Sequence, residues 1–137
     1  MKTRTYLKYI IVIVIMILLP IGIDAVRAPT DVNGGMLTED DARQLADNFI
    51  DGSATYVFDG IEDTLELVET LYPDIENAWS FVYCFDCRNA GYGDRTGQGL
   101  AEVITPHEAV INVEEGSISS ATLDGVWDMI HQVMLKG

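Results

Sequence analysis

The hydrophobic pattern divides the chain into three stretches. Lys2, Arg4 and Lys8 precede an apolar run from Tyr9 to Ile23, broken only by Pro20 and Gly22, and Asp24 follows. Positive charge before such a run and an acid after it orient the N-terminus toward the cytoplasm and the rest of the chain outside. The run falls short of the roughly 20 apolar residues that span a bilayer and matches the h-region of a signal peptide. Cleavage sites are poor, however: a cut after Ala25 puts bulky Ile23 at the −3 position, and a cut after Ala28 puts Pro29 just beyond it. Residues 1–25 are therefore expected to form a hydrophobic helix serving as signal anchor or signal peptide. Residues 26–37, with Pro29, Asp31, Asn33, Gly34 and Gly35, read as a linker.

Residues 38–137 read as a single exported domain. A helix is expected from Thr38, which can cap it with Asp41 three residues on. Ala42, Leu45, Ala46, Phe49 and Ile50 then fall on one continuous face, and Gly52 ends the helix. Thr55 to Phe58, short and rich in β-branched and aromatic residues, reads as a strand, and Asp59-Gly60 as a turn. Ile61, Leu65, Val68, Leu71 and Tyr72 return to helical spacing until Pro73 stops it. Trp79, Phe81, Tyr83 and Phe85 alternate with Ser80, Val82, Cys84 and Asp86, the pattern of a half-buried strand. A loop is expected from Arg88 to Gly99, then a strand from Leu100 to Thr105 interrupted at Pro106. Alternation resumes through Ala109, Ile111 and Val113, turns at Glu115-Gly116, and pairs back through Ile118 to Leu123. Val126, Ile130, Val133 and Met134 suggest a short C-terminal helix. The fold class is then α+β: two helices packed on one face of an antiparallel sheet of four to five strands, with a short helical tail.

Composition changes the picture mainly through charge. The 137 residues are 48% apolar, enough for a core, but carry only 8 Lys and Arg against 22 Asp and Glu, a net charge of −14. This sign excludes a protein that tracks nucleic-acid phosphates. Beyond Ala25 the basic residues are Arg27, Arg43, Arg88, Arg95 and Lys136. An anionic membrane surface would repel such a domain, so its acids mean a solvated exterior or affinity for cations or basic partners.

Candidate chemistry is sparse. Cys84 and Cys87 form a C-x-x-C, and outside the cell a disulfide is natural. On a regular strand, however, residues three apart lie about 10 Å from each other and face opposite ways, so that bond requires the strand to end or bulge before Cys87. Free thiols and a thioredoxin-like redox pair are the alternatives. With His107 and His131 the two cysteines complete a Cys₂His₂ set for zinc, although the histidines lack finger spacing. For calcium, Asp31-Val32-Asn33-Gly34-Gly35 starts like an EF-hand loop but fails at Gly35, Met36 and Ala42, leaving Asp86, Asn89 and Asp94 as an alternative loop site. The segment from Asn89 to Gly99 holds Gly91, Gly93, Gly97 and Gly99 among Asn89, Tyr92, Asp94, Arg95 and Gln98. Plainly read, it is a long hairpin connection with Arg95 paired to a nearby acid. Functionally read, it is a binding loop on a rigid sheet. No nucleophile–base set stands out; Ser117, Ser119 and Ser120 lie in or beside a hairpin without an elbow motif.

The helix opening Thr-Glu-Asp-Asp-Ala-Arg-Gln-Leu-Ala and the hairpin Ala-Val-Ile-Asn-Val-Glu-Glu-Gly-Ser-Ile-Ser-Ser-Ala resemble the small PepSY and cystatin-like domains over residues 38–50 and 100–125. That resemblance implies an exported inhibitor, propeptide or sensor module. Asp86 to Pro106 looks like a stretch of uncharacterised archaeal exported proteins. The expectation is an extracytoplasmic, non-enzymatic binding or regulatory domain. It would be membrane-anchored through residues 9–23 or secreted, and would present the glycine-rich loop to a protein or small ligand. The alternative is a metal-binding or thiol-redox domain built on Cys84 and Cys87.

Overall fold

A computed structural model describes residues 37–137; the expected N-terminal helix, and the linker before Leu37, lie outside the described residues. Thr38 starts the first helix as expected: its hydroxyl accepts the Asp41 amide at 3.2 Å, and Asp41 Oδ2 accepts the Thr38 amide at 3.2 Å. This capping box opens α1, Glu39–Asp51, and Gly52 closes it. Ala42, Ala46 and Ile50 are buried along its inner face, with Leu45 and Phe49 partly buried beside them.

Six strands follow in one antiparallel sheet, each paired with the next in chain order. They are β1 (Glu66–Leu71), β2 (Ala78–Asn89), β3 (Glu102–Glu114), β4 (Ser117–Leu123), β5 (Trp127–Asp128) and β6 (Val133–Met134). The domain is thus mostly one antiparallel meander with few helices, larger by a strand or two than the alternation suggests. The covered face carries Phe81, Tyr83, Phe85 and Cys87 from β2. Ala109, Ile111 and Val113 come from β3, and Ala121 and Leu123 from β4, all buried. Each large apolar side chain here contributes about 1.5–3 kcal/mol by leaving water. On the opposite face Ser80, Asn112 and Ser120 form a hydrogen-bonded row across β2, β3 and β4.

Four local expectations are corrected. Thr55–Phe58 is not a strand but part of a second short helix, α2 (Ala54–Asp59), which packs on β2. Its β-branched run is too short to carry a period, and Tyr56 meets Phe85 edge-on at 5.2 Å only from a helix laid across the sheet. Ile61 to Tyr72 is not a helix. It is a 3₁₀ turn, Glu62–Thr64, followed by β1. A bulge between Leu67 and Glu69 shifts the alternation by one residue, and this shift imitates helical spacing. Strand β3 runs through Pro106 without interruption. Glu108 sends both its amide and its carbonyl toward Asp124, away from β2. Pro106, two residues earlier, therefore directs its missing N–H to the same unpaired side, where a proline costs the ladder nothing. The tail is a β5–β6 hairpin rather than a helix. Asp128 Oδ1 accepts the Ile130 and His131 amides at 2.9 Å, and Gln132 takes a left-handed φ of 56° to reverse the chain.

Candidate functional site

The glycine-rich segment, residues 90–101, joins β2 to β3 and folds over the end of the covered sheet face. Its anchor is Arg95, 3% exposed. Arg95 Nη2 donates to Asp59 Oδ1 at 2.5 Å, and Nη1 donates to the Gly93 carbonyl at 2.8 Å. The guanidinium lies 4.5 Å over the Phe58 ring. Asp59, the last residue of α2, also accepts the Asn89 amide at 2.8 Å and the Asn89 side-chain amide at 2.9 Å. Burial pushes the Asp59 carboxyl upward, but Asn89, the Cys87 thiol and Arg95 together hold it below the usual carboxylate range.

Two glycines allow this closure. Gly91 has φ 105°, and a Cβ there would stand 2.8 Å from Arg95 Cδ. Gly93 has φ 70°, with a Cβ position 3.1 Å from Gln132 Oε1 and 3.2 Å from the Trp127 ring. Between them Tyr92 stacks on Trp127, centroids 5.6 Å apart and planes 12° from parallel. The Tyr92 hydroxyl donates to Asp124 Oδ2 at 3.0 Å, and His107 Nδ1 meets the same oxygen at 2.7 Å. Burial and the Asp124 carboxylate raise the Tyr92 phenol. His107 Nε2 is buried without a partner among the described residues, and the centroids of the Phe85 and Tyr92 rings lie 5.5 and 5.6 Å from that of the imidazole. The His107 side chain is 1% exposed. The imidazole is thus closed to solvent, while the Asp124 side chain, 28% exposed, reaches the surface.

Only the loop's outer half faces water. Asp94 Oδ1 accepts the Thr96 amide at 2.8 Å and its hydroxyl at 2.5 Å, which holds its carboxyl below the usual range. The Gln98 amide donates to the Arg95 carbonyl at 3.0 Å, and its side chain is exposed. The expected binding residues therefore divide: Asn89, Tyr92 and Arg95 turn inward, and Asp94 and Gln98 stand outward.

The cysteine and histidine candidates do not converge. The register of β2 on β3 is unbroken through Cys87, so the end or bulge that a local disulfide needs before Cys87 is missing, and both thiols are free. Cys87 is on the covered face, where burial and Asp59 push its thiol up to about 12. Cys84 is on the other face, raised by burial and by Glu108, Glu66, Asp124 and Asp86. Raised thiols are poor thiolate nucleophiles at neutral pH. His131 is exposed and pairs with Asp128 at 2.8 Å. No group of three or more His, Cys, Asp or Glu able to hold a metal ion forms among the described residues, so Cys84, Cys87, His107 and His131 are not brought together. Of the loop candidates for calcium, the Asn89 side-chain amide donates to Asp59, and Asp94 Oδ1 accepts from Thr96.

Sequence reasoning missed Asp59, Asp124 and Thr55, whose Oγ1 accepts the Gly93 amide at 2.8 Å. Both aspartates precede a glycine and read as turn residues. The only signal was that a loop arginine needs an acid, and 22 acids leave the choice open. Comparison with family models, with curated proteins and with solved structures finds no match.

Proposed function

We propose that the chain is an extracytoplasmic, non-enzymatic binding domain, held at a membrane by residues 9–23 or released by cleavage, that engages its partner through the outer half of the glycine-rich loop. The observation that carries this reading is the buried Arg95–Asp59 pair. The pair orders the loop from beneath, and a recognition surface gains from being ordered before it meets its partner. Asp94, Thr96 and Gln98 are the groups this anchor leaves in water. The exported sensor, inhibitor or propeptide role implied by the PepSY and cystatin-like resemblance fits the same reading.

The test is site-specific photocrosslinking in the cells that make the protein. A photoreactive residue at Gln98 is expected to give a discrete adduct that disappears in an Arg95→Ala background. The same probe at Gln44, exposed on α1, is expected to give none. Equal adducts at both positions, or none at Gln98, would overturn the proposal.

A further inference from the structure

Helix α1 packs over β2, β3 and β4 but not over β1. A strip beside the helix is therefore left without a roof. A cleft of about 300 Å³ lies there, with Ile50, Leu65, Leu67 and Tyr83 as its floor and Asp47 and Asp51 at its rim. Among the described residues Arg43 is the one cation in the lining, and it is occupied by Asp47 at 3.7 Å. Asp47 also accepts the Tyr83 hydroxyl at 2.6 Å. Asp51 has no ion-pair partner among the described residues. It sits in the last turn of α1, which contains no basic residue and whose carbonyl end itself favours a positive charge. The Asp51 charge raises the Tyr56 phenol after the larger effect of burial, and at Tyr83 it adds a smaller effect to those of burial and Asp47.

The cleft adjoins an open edge. β1 is the first strand of the sheet and pairs only with β2, so among the described residues its outer backbone row has no partner strand. Val68 and Leu71 on this edge are 50% and 43% exposed. Glu66 and Glu69 flank the bulge at Val68. Like charges opposite each other destabilise a strand pair, so these glutamates deter a second copy of the chain. Both glutamates lie on the face opposite Leu67 and the cleft, so they favour basic side chains on the far face of an added strand, as Asp51 favours one on the near face.

We infer that the β1 edge and the cleft under α1 form one site for an extended basic peptide segment, which adds to the sheet beside β1 and sets a lysine or arginine side chain into the cleft. The aliphatic stem would lie on Leu65, Leu67 and Ile50, and the charged head would reach Asp51. Backbone pairing would supply affinity, and the pocket beside alternate side chains would supply the preference for a cation. This surface is separate from the glycine-rich loop, and binding here neither requires nor excludes partner contact at Gln98.

The test uses the full chain in nanodiscs of neutral lipid. Three labelled peptides serve as probes: alternating valine and lysine, alternating valine and glutamate, and the lysine peptide with a central proline. Fluorescence anisotropy reads affinity, and hydrogen exchange reads protection of residues 66–71. The lysine peptide is expected to bind and to slow exchange in β1, the glutamate peptide to fail, and the proline peptide to bind about ten-fold more weakly because it lacks a ladder amide. Asp51→Lys is expected to weaken the lysine peptide about ten-fold, whereas Glu102→Lys, the same charge change at the start of β3, is expected to change it less than about two-fold. Absent binding, binding without protection of 66–71, or equal losses in the two variants would overturn the proposal. So would protection of 66–71 before any peptide is added, accompanied by dimers in sedimentation, because the occupant would then be a second copy.

Discussion

Under α1 the covered sheet face is carbon against carbon: Ala42, Ala46 and Ile50 meet Phe81, Ile111, Val113 and Ala121. Farther along the same strands, under α2 and the loop, Asp59, Arg95, Asn89, Thr55, His107 and Asp124 are joined by directed hydrogen bonds. The difference follows from backbone. Helix and ladder satisfy their own amides, so apolar side chains suffice there. The loop has no ladder, and its buried amides and carbonyls must find side-chain partners. Thr55 takes the Gly93 amide and Arg95 takes the Gly93 carbonyl for this reason.

The sharpest way to break the comparison is one substitution at each end. Asp59→Ala leaves a buried guanidinium unpaired and is expected to cost about 3–5 kcal/mol. Phe81→Ala opens a cavity and is expected to cost about 3–5 kcal/mol as well. Denaturant unfolding measures both. Repair should separate them. Asp59→Leu combined with Arg95→Met removes both charges, and most of the loss should return, because much of the cost of one deletion is the charge left behind. If the double variant is as unstable as Asp59→Ala, the Asn89 contacts rather than the ion pair hold the loop.

The next effect is pH dependence, which should come chiefly from the polar end. The Asp59 carboxyl is depressed in the folded state, so its contribution is complete above the unfolded carboxylate pKa and is lost as pH falls through the lower folded value. The Cys87 thiol is raised to about 12. The folded state then holds a proton that the unfolded chain releases from about pH 8.5, and stability falls as pH rises from there toward the folded value. Cys87→Ala is expected to flatten that alkaline limb in thermal melts, and an unchanged limb would assign it to the raised Tyr83 phenol instead. Alkylation at pH 7 should reach Cys84 slowly and Cys87 only on unfolding; rapid labelling of Cys87 would revive a thiol-active role.

The same division explains what could be read in the sequence. α1 was legible because capping residues and apolar spacing agree, and the centres of β2, β3 and β4 because alternation is strict where one face is buried. α2, β1 and the tail were not. The bulge at Val68 disguised a strand as a helix, and Asp128 built a hairpin from residues spaced like a helix. Arg95 was legible as an arginine seeking an acid, but its choice of Asp59 depends on where α2 ends, which no local pattern encodes. The inward turn of Tyr92 likewise depends on Trp127, far along the chain.

The smallest predicted effect tests whether the two ends are independent. The Thr38 hydroxyl accepts the Asp41 amide, and Asp41 in turn accepts the Thr38 amide and hydroxyl. Thr38→Ala removes one half of this box and is expected to cost about 1 kcal/mol, with Thr38→Ser close to the original. Because α1 roofs only the apolar end, the loss should appear as faster hydrogen exchange in the first turn of α1. The Gly93 amide, held by Thr55, should exchange at its original rate under conditions where local opening dominates. A matching acceleration at Gly93 would mean that the polar end is secured through α1 as well, and that the covered face is a single cooperative unit in spite of its two chemistries.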